Sequence, residues 1–117
     1  MPSYTDSLRG YGRRIYERDN FTCRYCGVDG RQSFDIWLTL SVDHLLPVGH
    51  PDREKDEFKV TACRFCNEAD NYYFTKYGLS FEGKSTEQLL ERRRSYVQAV
   101  RDKYKEFWEE NVKPASE

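Results

Sequence analysis

The chain has 117 residues, of which 33% are charged and 15% are aromatic. This length suits a single domain spanning residues 1–117, and the composition is typical of a folded chain, not a disordered one. The formal net charge of −1 excludes a strongly basic nucleic-acid binder, so a contact with DNA has to use local basic patches. No apolar run reaches the roughly 18 residues of a membrane span, and the N-terminus shows no apolar signal region. We therefore expect a cytoplasmic protein without a membrane partner.

The first two thirds of the chain predict a helix, two strands and a second helix. Residues 7–19 place apolar side chains at helical spacing, which predicts an N-terminal helix. Residues 37–43 alternate between apolar and polar side chains, as a half-buried strand does, and residues 58–62 are β-prone and suited to pair back on it. The pattern turns helical over residues 64–74. This order predicts a small α+β fold.

A long amphipathic C-terminal helix is predicted for residues 85–112. Ser85 and Gln88 have the spacing of a capping box at its start. One stripe of this helix is apolar and consists of Leu90, Val97, Val100, Tyr104, Phe107 and Trp108. We expect the stripe to pack on the domain's own core, with a homodimer or a protein partner as the alternative. The three arginines at 92–94 are expected on a solvated face.

The four cysteines form two C-x-x-C pairs, Cys23 with Cys26 and Cys63 with Cys66. In an intracellular chain disulfides are disfavoured, and the doubled spacing is typical of a closed, four-cysteine structural zinc site. A redox motif needs only one such pair, and a secreted disulfide framework needs an oxidising compartment. We therefore expect zinc, which would also add folding energy that a small core lacks.

Polar side chains with possible metal chemistry lie on both sides of the predicted hairpin. Asp43 and His44 come at the end of the first strand, and Asn67 directly follows the last cysteine. Asn71 lies one helical turn further, with Asp70 near the same side. If the hairpin folds back, Asp43 and His44 face the start of this helix. Such hard oxygen ligands suit a Mg²⁺ or Mn²⁺ ion.

The order of the motifs "CRYCG", "VDHLLP" and "CRFCN" resembles the HNH endonuclease family, the zinc-knuckle branch of the ββα-metal (His-Me finger) nucleases. The resemblance covers residues 14–74, about half of the chain. It implies a ββα-metal fold with zinc knuckles, in which residues 7–75 form the nuclease core. The C-terminal helix at 85–112 lies outside the match.

The resemblance also implies a role for each matching residue in a metal-dependent DNA endonuclease or nickase. His44 matches the general base that deprotonates the attacking water. Asp43 matches the first ligand of a single Mg²⁺ or Mn²⁺ ion, and Asn67 matches a second ligand or an outer-shell residue that holds the ion. Asn71 is a further candidate ligand because of its helical spacing from Asn67. The four cysteines match the structural zinc site. Basic residues around the cysteine pairs are expected to hold the DNA backbone, namely Arg13, Arg14, Arg18 and Arg64.

The sequence departs from the family pattern at two positions. Phe58 stands where the family has an asparagine that braces the loop behind the base, so the bracing has to come from elsewhere, with Asp52 and Asp56 as candidates, or is weaker. Asp70 stands where a lysine is common. These departures leave a second function open, a catalytically reduced zinc-binding module that binds nucleic acid or a protein partner. The other histidine, His50, has no family role and is expected in a loop.

Overall fold

A computed structural model describes residues 12–69, 81 and 83–114, and it combines helices with a two-stranded antiparallel sheet. The elements in chain order are α1 (Arg13–Arg18), α2 (Phe34–Leu38), β1 (Leu40–His44), β2 (Lys59–Cys63), α3 (Arg64–Glu68) and α4 (Thr86–Asn111). A short 3-10 turn at Asp56–Phe58 precedes β2. This mixture agrees with the predicted α+β class.

The two strands form a hairpin whose two faces are covered by different helices. Leu40 lies opposite Cys63, and His44 lies opposite Lys59 at the other end of the ladder. Leu40 and Val42 pack with α1 in one apolar cluster. Because side chains alternate along a strand, Ser41 and Asp43 point to the other face, towards α3 and α4.

The first strand is shorter than the alternation predicted, because its first part belongs to a helix. The Ser33 hydroxyl accepts a hydrogen bond from the Ile36 amide at 3.0 Å and caps α2. Trp37 and Leu38 therefore end a helical turn, and β1 begins only at Leu40. The second strand, predicted for residues 58–62, is found one residue later.

The larger apolar cluster joins the hairpin, the cysteine region and α4. It is built from Cys23, Tyr25, Leu45, Leu46, Val60, Ala62, Cys63, Cys66, Leu89, Leu90 and Val97. The smaller cluster holds α1 against the opposite face of the hairpin. The predicted N-terminal helix is found as α1, and the part of that prediction before residue 12 lies outside the described residues.

The long helix α4 begins with the predicted capping box. The Ser85 hydroxyl accepts from the Gln88 amide, and the Gln88 side chain accepts from the Ser85 amide at 2.8 Å. Leu90 and Val97 are buried, as the apolar stripe predicts. Tyr104, Phe107 and Trp108 are exposed, however, so the expectation that the whole stripe packs on the core is wrong for its second half. Within the described part of the chain, no helix combines the length and apolarity that crossing a bilayer requires.

Candidate functional site

The first cysteine pair lies on a tight turn closed by backbone hydrogen bonds. The Gly27 amide donates to the Cys23 carbonyl at 2.9 Å, and Gly27 has a φ of 81°, which a residue without a Cβ adopts at no steric cost. The Cys23 amide donates to the Val28 carbonyl at 2.9 Å. The turn therefore presents both sulfur atoms of the pair to the same side.

The second cysteine pair lies where β2 passes into α3, and a backbone bond fixes it beside the first. The Arg24 amide donates to the Thr61 carbonyl at 2.9 Å, which ties the first turn to β2. All four Sγ atoms lie within 4.8 Å of one another, and the Sγ atoms of Cys26 and Cys63 are 3.8 Å apart. A tetrahedral zinc with Zn–S bonds of about 2.3 Å has S–S edges of about 3.8 Å. The four cysteines fit a metal ion of this kind.

The electrostatics of the cluster favour a divalent cation. Hydrogen bonds from Cys26 and from the second pair lower the pKa of Cys23, so one thiolate forms readily. Hydrogen bonds with Cys23, Cys26 and Cys63 raise the pKa of Cys66, and burial and the charge of Cys23 add to this shift. A divalent cation offsets the repulsion between the thiolate charges. Although burial opposes it, the charges of Cys26 and Cys66 raise the pKa of Arg101, which therefore stays cationic beside the cluster.

Asp43 is almost fully buried and both of its carboxylate oxygens have partners within the chain. The Arg93 guanidinium lies 2.9 Å from Oδ1 of Asp43, and the Tyr25 hydroxyl donates to Oδ2 at 2.6 Å. The side chains of Asp43 and Arg93 are only 4% and 3% exposed. A buried charge needs a compensating charge and hydrogen bonds, and this group supplies both.

Arg93 also holds the residue next to Asp43. Its Nη1 donates to the carbonyl oxygen of His44 at 2.7 Å, and its guanidinium lies 5.9 Å from the centre of the Tyr25 ring. The expectation that all three arginines at 92–94 are solvated is therefore wrong for Arg93. A signal for its burial exists in the sequence, because Arg93 stands between Leu90 and Val97 at helical spacing.

His44 lies on the opposite face of β1 from Asp43 and keeps 18% of its side chain exposed. Its Nε2 is 3.5 Å from a Glu54 carboxylate oxygen, and the other Glu54 oxygen is 3.2 Å from the Lys59 ammonium. Burial, followed by the charge of Arg53, lowers the pKa of His44, and Glu54 opposes the shift. The imidazole is therefore neutral at pH 7 and able to accept a proton.

Asn67 lies on the same face of the hairpin as Asp43, but nearer the other end of β1. Its Nδ2 donates to the Ser41 hydroxyl at 2.9 Å, and that hydroxyl donates to the Ala62 carbonyl at 3.1 Å. This contact pins α3 to the hairpin. The other two expected neighbours of the catalytic ion, Asp70 and Asn71, lie outside the described residues.

The Asp43 carboxylate does not fit a divalent ion in this arrangement. A cation of the chain itself, Arg93, already lies on one oxygen, and Tyr25 occupies the other. Arg93 would have to leave before a metal could bind. A catalytic ion between Asp43 and Asn67 therefore stays a prediction that the described side chains do not support.

The arginines predicted to contact DNA all have partners within the chain. Arg13 pairs with Glu17, Arg14 with Asp56 and Arg64 with Glu68, while Arg18 donates to the carbonyls of Asp56 and Lys59. The first three remain largely exposed, so their charge is accessible to a phosphate. Arg18 instead ties α1 to the start of β2.

The loop behind His44 is braced differently from the family pattern. Phe58 packs against the larger apolar cluster, and its carbonyl accepts from the Leu45 amide at 2.8 Å. Asp52 pairs with Lys55 and Asp56 pairs with Arg14, whereas the His44 carbonyl accepts a hydrogen bond from Arg93. His50 lies in the loop, as expected, where its Nδ1 accepts from the Asp52 amide at 3.1 Å.

Comparison with protein-family models, with curated proteins and with solved structures gives no match to this chain. The resemblance to the HNH family therefore stands on the motifs and their order alone.

Proposed function

We propose that this chain is a zinc-stapled ββα module of the HNH type that cleaves or nicks DNA, with His44 as the general base. The observation that carries the proposal is the state of His44. It is a half-buried and neutral imidazole at the end of the hairpin, beside the cationic side chains of Arg53 and Lys59. A phosphodiester hydrolase needs a base for the water and positive charge for the phosphate. His44 supplies the base, and Arg53 and Lys59 would supply the charge by exchanging the Glu54 carboxylate that pairs with both for a phosphate.

Two features of the fold support the ββα assignment. A hairpin leads directly into α3, and Asn67 of α3 contacts Ser41 of the hairpin, which is compatible with a ββα arrangement. With a bound metal ion, the four cysteines would join the first cysteine turn to the end of β2 and the start of α3. One zinc ion per chain would hold these parts together in a domain with a small core.

In the proposed reaction the chain's own groups act at defined positions. His44 takes the proton of a water molecule as that water attacks the phosphorus, the bond from phosphorus to the 3′ oxygen breaks, and the displaced 3′ oxygen takes a proton from solvent. The Arg93 bond to the His44 carbonyl keeps the base in place. Arg53 faces the same histidine and would bind a phosphate oxygen. Arg13, Arg14 and Arg64 are exposed cations suited to the DNA backbone at a distance from the base.

A plasmid assay tests the proposal. Zinc-loaded chain is incubated with supercoiled DNA in buffers that contain Mg²⁺ or Mn²⁺, or that omit both ions. Omission is preferable to a chelator, which would also strip the cysteine site. We expect conversion to nicked or linear plasmid by the wild type. Zinc-loaded, folded protein that leaves the plasmid intact in every buffer would overturn the enzyme proposal.

The buried Asp43–Arg93 pair favours one second candidate, the catalytically reduced module that binds nucleic acid. This candidate predicts a different result, because a binding module slows the migration of DNA in a gel without cutting the DNA. The affinity should fall with added salt as phosphate contacts are lost. A gel-shift titration on the same zinc-loaded sample separates the two functions.

A further inference from the structure

The second half of α4 carries an apolar surface that the described part of the chain covers only at Tyr104, whose ring packs edge-on against Phe65 with ring centres 5.0 Å apart. Residues 102–111 are exposed all around the helix. Tyr104 is 62% exposed, Phe107 is 61% exposed and Trp108 is 45% exposed. These three residues continue the stripe that Leu90 and Val97 bury in the body of the domain. We call Tyr104, Phe107, Trp108 and Val112 the tail stripe.

We propose that the tail stripe binds the tail stripe of a second copy of this chain, with the two α4 tails antiparallel and crossing near Phe107. The charges beside the stripe favour this occupant. The segment before the crossing carries Arg101, Lys103 and Lys105 against Asp102 and Glu106, and the segment after it carries Glu109 and Glu110 against Lys113. Antiparallel pairing puts the segment of each copy that has an excess of positive charge against the segment of the other that has an excess of negative charge.

The helical period places one lysine and one glutamate on each flank of the tail stripe. Lys103 and Glu110 are two turns apart on one flank of the stripe, and Lys105 and Glu109 share the other flank. Lys103 and Glu110 are separated by roughly 10 Å along the axis, which is too far for an ion pair within one helix. In the antiparallel arrangement each Lys103 instead faces Glu110 of the other copy.

The same arrangement would fill a groove beside the tail stripe, between α3 and α4. A groove of about 460 Å³ is lined by Phe65, Arg101, Tyr104 and Trp108, among others. With the crossing near Phe107, Val112 of the second copy comes level with Arg101 and lies over this groove. Val112 is 59% exposed in the single chain, so its apolar side chain and the groove would cover each other.

The size of the contact predicts a reversible dimer. The exposed parts of the three aromatic side chains and Val112 amount to roughly 400 Å² per copy, at 150–250 Å² for a whole aromatic side chain. Both copies together then bury roughly 800 Å², which is below the roughly 1,000 Å² of a stable specific interface and within the range of weak, transient contacts. We therefore expect association that depends on protein concentration.

Sedimentation velocity of the full, zinc-loaded chain tests this proposal. We expect a species of twice the 14.0 kDa chain mass at high concentration and dissociation on dilution. Phe107→Ser together with Trp108→Ser should abolish the dimer while circular dichroism shows that the helices persist. A wild type that stays monomeric at every concentration, or a double variant that still dimerises, would overturn the proposal.

A charge-swap series tests the antiparallel direction. Lys103→Glu should weaken the dimer roughly tenfold, because it faces Glu110 twice in the symmetric pair. Adding Glu110→Lys to the same chain should restore the affinity. Glu106→Lys, on the side of the helix away from the stripe, is the matched control and should leave the dimer unchanged. A combined variant as weak as Lys103→Glu alone would contradict the arrangement.

Discussion

The guanidinium of Arg93 and the carboxylate of Asp43 form a buried ion pair at 2.9 Å that joins α4 to the end of β1. The same arginine donates to the carbonyl of His44, so one side chain of α4 fixes the Asp43-His44 step of the hairpin. The C-terminal helix, which lies outside the HNH resemblance, is in this way part of the candidate site.

Loss of Arg93 should therefore destabilise the fold. Arg93→Met leaves the Asp43 charge buried without its partner and should lower the free energy of unfolding by about 3–5 kcal/mol. Denaturant unfolding of zinc-loaded protein measures the change. Glu106→Met, an exposed position on the same helix and away from the tail stripe, is the control and should change stability little. Equal unfolding midpoints for Arg93→Met and the wild type would show that the pair contributes nothing.

Release of Asp43 from Arg93 should expose a divalent cation site. In Arg93→Gln the carboxylate loses its cation, so we expect Mn²⁺ to bind roughly tenfold more tightly than to the wild type, as an uncompensated buried charge attracts a new partner. Electron paramagnetic resonance of added Mn²⁺ reports the free ion. Adding Asp43→Asn to this variant should remove the gain. If the Mn²⁺ affinity does not respond to Arg93→Gln, Arg93 and the metal do not compete for Asp43.

The pH dependence of DNA cleavage should follow the protonation of His44. Its pKa lies below the usual value of about 6.5, so the imidazole loses its proton in mildly acidic solution and is neutral at pH 7. Cleavage by a neutral base should rise with pH through this lowered pKa and level off near neutrality. Glu54→Gln removes the group that opposes the shift and should lower the pKa of His44 further. Titration of the imidazole by nuclear magnetic resonance checks both statements, and a pKa that rises in Glu54→Gln would contradict them.

Zinc removal should unfold the domain. The four cysteines staple the first turn to β2 and α3, so the apoprotein should lose the cooperative thermal transition of the zinc form. Elemental analysis should find one zinc per chain, and Cys66→Ser should lower that ratio and the melting temperature together. A chain that keeps its melting temperature after complete zinc removal would exclude a structural role.

The sequence predicted the parts of this molecule that depend on local patterns. Ser85 and Gln88 were sufficient to place the start of α4, and the two C-x-x-C pairs were sufficient to predict a joint metal site, because both signals are short-range spacings. The alternation at Trp37 and Leu38 was misleading, since a serine cap made that segment helical instead.

The features that the sequence did not predict are contacts between residues that lie far apart along the chain. Arg93 pairs with Asp43 across about fifty residues, and Tyr25 reaches Asp43 from inside the first cysteine turn. The spacing of residues within one segment does not specify which residue of a distant segment they contact. The stripe pattern of α4 likewise could not show where the body of the domain ends, and so it did not separate buried Val97 from exposed Phe107.

The central claim is tested most directly by the rate at which the zinc-loaded chain nicks supercoiled plasmid, compared between the wild type and His44→Ala. Removal of a general base should slow cleavage by ~10²–10⁴ while zinc content and melting temperature stay close to those of the wild type. His50→Ala, which alters the loop histidine, is the matched control and should cleave at the wild-type rate. Equal rates for His44→Ala and an active wild type would contradict the account.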